Sequence, residues 1–166
     1  MPVIVPRAQV SLISPSTPSE LEAARDIIRE YASSLNIDLA FQEIADELEK
    51  LPGEYVEPRG GLLLALVDGA VAGCCALRPL DVSDYPNACE MKRLFVRRAF
   101  RGFGLGRQLA EATLDLARRG GYANVLLDTL DEMESARVLY ADLGFEDIPP
   151  YYHNPIAGAH YLKASL

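Results

Sequence analysis

The residues best suited to chemistry lie in positions 97–121, RRAFRGFGLGRQLAEATLDLARRGG. Alternating glycines and nearby arginines crowd the beginning of this stretch: Gly102, Gly104, Gly106, Arg97, Arg98, Arg101 and Arg107. Because glycine lacks a Cβ atom, such a loop lets another molecule approach its backbone closely. The amphipathic run that follows predicts a helix, whose first turn offers unpaired N–H groups and the positive end of its dipole. We therefore expect a site for a phosphate or pyrophosphate; the alternative is a tight turn with solvated arginines.

Two widespread phosphate loops fit this stretch poorly. A Walker loop ends in Gly-Lys-Ser/Thr, whereas this chain has Gly106-Arg107-Gln108. A dinucleotide-binding GxGxxG loop follows its strand directly and has a third glycine, but here Arg107 occupies that position. Asp128 stands where a ribose-binding acid would be expected after such a loop, so a nicotinamide-nucleotide-binding protein stays open as an alternative.

The elements around the loop can be predicted from capping, turn and periodicity signals. Thr17 as N-cap, Pro18 at the first helical position and Glu20 as the capping-box acid predict a helix start. Asp68-Gly69 between two apolar runs predicts a hairpin with a type I′ turn. Helical spacing marks two helices before the hairpin: Leu21, Ala24, Ile28, Tyr31 and Leu35, then Phe41, Ile44, Ala45 and Leu48.

The later elements complete the predicted order. Strands are expected at 89–96 and 123–128, around the helix that begins at the glycine loop. A further helix ends at Gly144, and two short strands close the chain. With the strand at 8–13, the order is β, α, α, a β-hairpin, β-α-β, α and β-β. This order predicts a mixed sheet with helices on both faces, in which the strands of the βαβ unit are parallel with a right-handed crossover.

Arg101-x-x-Gly104-x-Gly106 matches the pattern R/Q-x-x-G-x-G/A, and on it the chain resembles the GNAT (Gcn5-related) N-acetyltransferase superfamily. EMKRLFVRRAFRGFGLGRQL resembles that family's fourth strand, pyrophosphate loop and third helix, and ARVLYADLGFE resembles its A-x-x-L-Y-x-x-x-G-F segment. The resemblance covers nearly the whole chain, with its specific motifs in residues 90–146. It implies an α/β (α+β) fold with a mostly antiparallel central sheet and a splayed parallel pair formed by the fourth and fifth strands.

The resemblance also implies where acetyl-CoA would bind. In the family the co-substrate lies where the fourth and fifth strands separate, so the backbone of Leu94, Phe95 and Val96 would bind the pantetheine and thioester. The pyrophosphate would lie against the loop residues Arg101, Gly102, Phe103, Gly104, Leu105, Gly106 and Arg107. Met133 replaces the asparagine with which many relatives contact the pantetheine.

Two residues are candidates for proton transfer. Tyr140 aligns with the family tyrosine that protonates the sulfur of CoA; its alternative is an ordinary half-buried aromatic on the stripe Ala136, Leu139 and Leu143. Glu90 is the candidate base, on a strand that would line the cleft. Along Glu90, Lys92, Leu94 and Val96, strand alternation places Glu90 on one face with Lys92, so a surface carboxylate paired with Lys92 is its alternative.

Candidates for the acceptor pocket are Asp128, at the end of the predicted fifth strand, and Tyr151, Tyr152 and His153, in the connection between the last two strands. Local capping or a polar turn are the alternatives. Cys74 and Cys75 lie in an alternating apolar strand and are predicted core residues rather than nucleophiles. His153 and His160, with three scattered cysteines, give no metal-ligand spacing, so no metal is expected.

Composition narrows the class of protein. The 166 residues predict a single domain, 1–166, and the formal net charge of −8 argues against nucleic-acid binding. Three cysteines without a framework suit a reducing cytoplasm, and neither a signal peptide nor a membrane span is expected. The favoured function is acetyl transfer from acetyl-CoA to a small primary amine by direct transfer in a ternary complex. An acetyl-CoA-binding sensor without turnover is the alternative, and a homodimer is considered. Net charge alone favours a cationic acceptor, although it is a weak guide to a pocket.

Overall fold

The computed structural model describes residues 8–34, 38–81, 84–130, 134–151 and 159–166. Within these residues the strands are β1 (Val10–Ile13), β2 (Gly61–Val67), β3 (Ala70–Pro79), β4 (Ala88–Val96), β5 (Asn124–Leu130), β6 (Glu146–Ile148) and β7 (Ala159–Ser165). The helices are α1 (Pro18–Ser34), α2 (Asp38–Glu49), α3 (Leu105–Arg119) and α4 (Glu134–Asp142), with a 3₁₀ turn at Arg98–Phe100. This order confirms the prediction.

The strands form one sheet in the order β1-β2-β3-β4-β5-β7-β6. All neighbours pair antiparallel except β4 and β5, which are parallel. The mixed, mostly antiparallel sheet is thus confirmed. Since side chains alternate along a strand, β2 and β3 contribute to two cores. Leu62 and Cys74 pack with α1 and α2 on one face, whereas Leu63 and Cys75 pack with α3 and α4 on the other.

Local signals in the sequence correspond to local structure. The Thr17 hydroxyl accepts a hydrogen bond from the amide of Glu20 (3.2 Å), and the Glu20 carboxylate accepts one from the amide of Thr17 (3.1 Å). This reciprocal pair is the predicted capping box. Asp68 and Gly69 have φ values of 49° and 84°, which a type I′ turn requires.

Two features of the predicted elements differ from expectation. Asp128 does not end β5, because the strand continues to Leu130 through its pairing with β7. Ala45 is exposed although Ile44 and Leu48 on the same helix are buried, so the apolar stripe of α2 is narrower than predicted. Leu35 and the side chain of Phe41 lie outside what the structure describes.

Candidate active site

A cleft opens in the sheet where β4 and β5 separate. The two strands pair at only three positions: Ala88 with Asn124, Cys89 with Val125 and Glu90 with Leu126. Both strands continue beyond this point, to Val96 and Leu130. Past Glu90, therefore, the edge of β4 that faces β5 no longer has β5 as a hydrogen-bonding partner. The predicted splay of this pair is confirmed.

A bulge in β4 lies at the cleft. Cys74 of β3 pairs with Phe95 and Ala76 pairs with Lys92, so Cys75 alone faces two residues of β4. One of these two, Arg93, has φ 62°, in the left-handed region that residues other than glycine rarely adopt. The extra residue reverses the alternation of side chains along the rest of the strand.

The predicted alternation is therefore wrong beyond Lys92. Leu94 and Val96 pack against the α3/α4 core, and Phe95 packs against the α1/α2 core. Glu90 and Lys92 do share a face, as expected, and their charged atoms are 3.9 Å apart.

Buried polar contacts hold the bulge from the side of α2. The guanidinium of Arg93 donates two hydrogen bonds to Glu47, each 3.0 Å long, and the hydroxyl of Tyr55 donates to the same carboxylate. Burial alone would raise the pKa of Glu47, but the hydrogen bond and charge of Arg93 lower it on balance. The thiol of Cys74 also donates to the carbonyl of Arg93 (3.1 Å). The left-handed residue is thus held by contacts with both α2 and β3.

The glycine loop forms the expected helix entrance. Gly102 and Gly104 have φ values of 87° and 80°, and Gly104 is the N-cap of α3. The helical ladder begins with the amide of Gln108, which donates to the carbonyl of Gly104 (3.1 Å). The amides of Leu105, Gly106 and Arg107 come before it and have no acceptor within the helix. A Cβ atom at Gly102 or Gly104 would meet no atom of the described residues within 4 Å, so the loop surface is open.

The arginines around the loop differ in how far their charge is neutralised. Arg97 forms an ion pair with Glu30 (2.6 Å), and Arg107 forms one with Asp142 (2.9 Å). Arg101 donates to the backbone carbonyl of Val96 (2.8 Å), and its guanidinium lies 5.7 Å from the centre of the Phe95 ring. Much of the predicted cationic cluster is therefore engaged within the protein, whereas the first amides of α3 have no acceptor within the helix.

Tyr140 lies on α4 in the α3/α4 core, with its ring edge-on to Phe145 (centroids 5.5 Å apart). Burial raises its pKa well above the usual value, and the charges of nearby groups, including Tyr31 and Asp128, raise it further. Burial also raises the pKa of Tyr31, which lies on the opposite side of the sheet, to about 12. The ring of Tyr31 lies against that of Phe95 in β4, with centroids 5.7 Å apart.

Glu90 is buried rather than on the surface, with 1% of its area exposed, so the surface-carboxylate alternative is wrong. Its principal cationic partner is Arg78 of β3, whose Nε donates to Oε1 at 2.8 Å and whose Nη2 lies 2.7 Å from the same oxygen; Lys92 is farther away. The hydroxyl of Tyr151 donates to Oε2 at 2.6 Å. This contact brings the connection after β6 to the candidate base.

Three residues that the sequence analysis singled out, Tyr152, His153 and Met133, lie outside the described residues. Cys74 and Cys75 are fully buried, as predicted, and burial raises the pKa of both thiols, that of Cys75 to about 12. Across the described part of the chain, no group of histidines, cysteines and acids could hold a metal ion. None of the helices described is long and apolar enough to cross a membrane.

Sequence reasoning did not identify four of the polar residues at this site. Arg78, Glu47 and Tyr55 carried no motif, and Tyr31 was predicted only as part of the apolar stripe of α1. Their positions depend on contacts between segments that are far apart in the chain. The only signal of such partners in the sequence was the group of charged residues in the otherwise apolar strand β4: Glu90, Lys92 and Arg93. Charges that are buried in a strand require partners.

Comparisons with known proteins agree with this geometry. The model of the acetyltransferase (GNAT) family matches residues 21–145. An uncharacterized N-acetyltransferase of Schizosaccharomyces pombe is 35% identical over 160 residues, which cover 96% of each chain. The structure of a GNAT-family acetyltransferase of Staphylococcus aureus Mu50 has a TM-score of 0.76 at 20% identity, covering 95% of this chain and 99% of that one. An acetyltransferase of Salmonella typhimurium, solved with its cofactor acetyl-CoA, has a TM-score of 0.66 at 17% identity, covering 94% and 93%. Among the phosphate loops considered, the acetyltransferase loop is the one supported.

Proposed function

Because the chain belongs to the acetyltransferase (GNAT) family and is an acyl-CoA N-acyltransferase, we propose that it transfers the acetyl group of acetyl-CoA to a primary amine. The acceptor is a small molecule, and transfer is direct, within a ternary complex. The observation that carries this proposal is the splay of β4 and β5, with the open glycine loop of α3 joined to β4 by the 3₁₀ turn at Arg98–Phe100. One molecule of acetyl-CoA could occupy both features at once.

The two features suit different parts of the co-substrate. The amides of Leu105, Gly106 and Arg107, at the positive end of α3, suit a pyrophosphate. The backbone of residues 94–96 lies beyond the last pair with β5, so it can bind the pantetheine and the thioester. A backbone N–H there would stabilise the negative charge that develops on the thioester oxygen during attack. The Salmonella typhimurium relative in the fold comparison was solved with acetyl-CoA, which supports this assignment.

The reaction requires two proton transfers. The neutral amine attacks the thioester carbonyl, the C–N bond forms, the C–S bond breaks, and the sulfur leaves with the electron pair. In our proposal Tyr140 gives its proton to this sulfur. A tyrosine hydroxyl is protonated at neutral pH, as a proton donor must be, and the burial that raises the pKa of Tyr140 does not change that state.

The amine loses its proton toward Glu90. Because Tyr151 and Arg78 already occupy the two oxygens of Glu90, we propose that Tyr151 relays the proton. The Tyr151 oxygen accepts a proton from the amine while its own proton passes to Oε2 of Glu90, over the 2.6 Å that separates these atoms. A relay explains how a carboxylate with both oxygens engaged can still act as the base.

Ligand-dependent thermal unfolding tests the choice of co-substrate. Acetyl-CoA, CoA, NADH and ATP would be added in parallel to the wild-type chain. A ligand at a hundred times its dissociation constant stabilises the folded state by about 2.7 kcal/mol, an easily measured shift. We expect stabilisation by acetyl-CoA and CoA only. A shift with NADH, or with none of the four, would refute the proposal.

Steady-state kinetics test the proton path. Measured by thiol release, Tyr140→Phe, Glu90→Gln and Tyr151→Phe should each lower kcat by roughly 10²- to 10⁴-fold. The double variant of Glu90 and Tyr151 should be no worse than the poorer single variant, because both act in one path. Tyr122→Phe is the matched control. The hydroxyl of Tyr122 also donates a 2.6 Å hydrogen bond, but to the backbone carbonyl of Arg59 and away from the cleft. Additive losses for Glu90 and Tyr151 would exclude the relay.

A further inference from the structure

A cavity of about 430 Å³ lies beside the bulge, between the end of α2 and the strands β3 and β4. Glu47, Tyr55, Arg78, Lys92 and Arg93 contribute to its wall. Lys92 and Arg93 come directly before the backbone proposed to hold the thioester. A molecule in this cavity would therefore lie next to the acetyl group, as an acceptor must.

Most charges in the wall are already neutralised within the protein. Arg93 binds both oxygens of Glu47, which is only 19% exposed. Arg78 binds Glu90, and it also lies 3.6 Å from the more exposed Glu54. These contacts leave little charge on either arginine for a ligand.

Lys92 differs from these arginines. Its side chain is only 17% exposed, yet its ammonium approaches no closer than 3.9 Å to a carboxylate oxygen of the described residues, that of Glu90. This oxygen already accepts a hydrogen bond from Nε of Arg78, whose Nη2 lies 2.7 Å away. Burial lowers the pKa of Lys92 in spite of the nearby Glu90, so the protein compensates its charge incompletely. A largely buried ammonium without a hydrogen-bonded counterion favours the binding of an anion.

We propose that Lys92 binds a carboxylate of the acceptor, so that the acceptor is an amine that also carries a carboxylate, such as an amino acid. This proposal rests on the proposed acetyltransferase function and specifies its substrate class. With its carboxylate on Lys92, the acceptor would have its amine free to face the thioester and Tyr151. The cationic acceptor favoured by net charge alone is thereby replaced, because a single buried lysine matters more to a pocket than the charge of the whole surface.

Paired acceptors provide the test. The common L-amino acids and their carboxamides would be assayed with acetyl-CoA by thiol release on the wild-type chain. At least one amino acid should exceed its carboxamide tenfold or more in kcat/KM. The basicity of the amine alone would favour the carboxamide, because its amine is less basic and is more often neutral at pH 7. A preference for the acid must then come from binding of the carboxylate.

Variants assign that preference to Lys92. Lys92→Met should raise the KM for the preferred amino acid by 10- to 100-fold, with kcat and the activity on the carboxamide nearly unchanged. Lys92→Arg should keep most of the preference. Lys50→Met, which removes an exposed lysine of the same cavity, is the control and should have little effect. If Lys92→Met does not fold, Lys92→Gln and the wild-type preference still decide.

The outcomes separate this proposal from the function on which it rests. Acetylation of carboxamides and simple amines at least as fast as of any amino acid would overturn the carboxylate proposal and leave the acetyltransferase function intact. Equal loss of kcat on both series in Lys92→Met would also overturn it, since that result indicates a role in proton transfer. A chain that acetylates no amino acid, carboxamide or simple amine, and that acetyl-CoA does not stabilise, refutes both proposals.

Discussion

The two halves of β4 differ in almost every respect. Residues 88–91 are buried; residues 89–91 pair with β3 on one side, and residues 88–90 pair with β5 on the other. Residues 92–96 are only partly buried, have left β5 and contain the bulge at Arg93. The first half therefore contributes to the core, and the second half leaves backbone groups for a ligand. The side chain of Glu47 in α2 holds that of Arg93 in the second half, where β5 no longer pairs with β4.

The largest expected effect comes from removing the contact that holds the second half. In Arg93→Ala the carboxylate of Glu47 stays buried without its partner, which typically costs about 3–5 kcal/mol. The bulge should also lose its fixed geometry, so the KM for acetyl-CoA should rise by tenfold or more. Urea unfolding and thiol-release kinetics measure the two effects. A destabilised variant with an unchanged KM would mean that the pair stabilises the fold without positioning the cleft.

Replacing a buried residue of the first half should have nearly as large an effect on stability, but none on the cleft. Met91 is 2% exposed in the α3/α4 core, so Met91→Ala should lower the free energy of unfolding by about 3 kcal/mol. Below its melting temperature the variant should keep the wild-type KM for acetyl-CoA. A raised KM in Met91→Ala would show that the two halves do not act separately.

The contrast between the two halves of β4 also separates what can be predicted from the sequence from what cannot. The shared face of Glu90 and Lys92, the capping box at Thr17 and the Asp68-Gly69 turn are local patterns, and each has the predicted structure. The glycine loop was predictable because only glycine adopts its torsions at low cost. These signals suffice for the order of the elements and for the parallel β4/β5 pair.

The remainder of the site depends on contacts that no local pattern contains. An arginine carries no signal for a left-handed torsion, and Glu47, which binds the side chain of Arg93, lies 46 residues away in the sequence. Glu90 is buried because Arg78 on the neighbouring strand neutralises it. In the sequence, Glu90 and Arg93 appear only as charged residues within an otherwise apolar strand.

The pH dependence of stability is expected to show a smaller effect. The pKa of Glu47 is lowered in the folded chain, below the value of about 4.3 for a free glutamate. Its contribution to stability is therefore fully present above that value and is lost as the pH falls toward the folded pKa. Glu47→Gln should flatten this part of the curve in urea unfolding between pH 7 and pH 3. Parallel curves for wild type and variant would exclude Glu47 as the source.

The smallest effect isolates the backbone of the bulge from its side chain. Arg93→Gly and Arg93→Ala remove the same ion pair, but only glycine adopts φ 62° without a steric cost. In an ordinary strand a glycine variant is less stable than an alanine variant. At position 93 the order should be reversed, with the free energy of unfolding of Arg93→Gly higher than that of Arg93→Ala by about 1 kcal/mol. Ala88→Gly, in the regular half, is the control, and there the wild-type alanine should be more stable than glycine. If alanine were the more stable residue at both positions, the left-handed torsion at Arg93 would be a consequence of its side-chain contacts and would relax once they were removed.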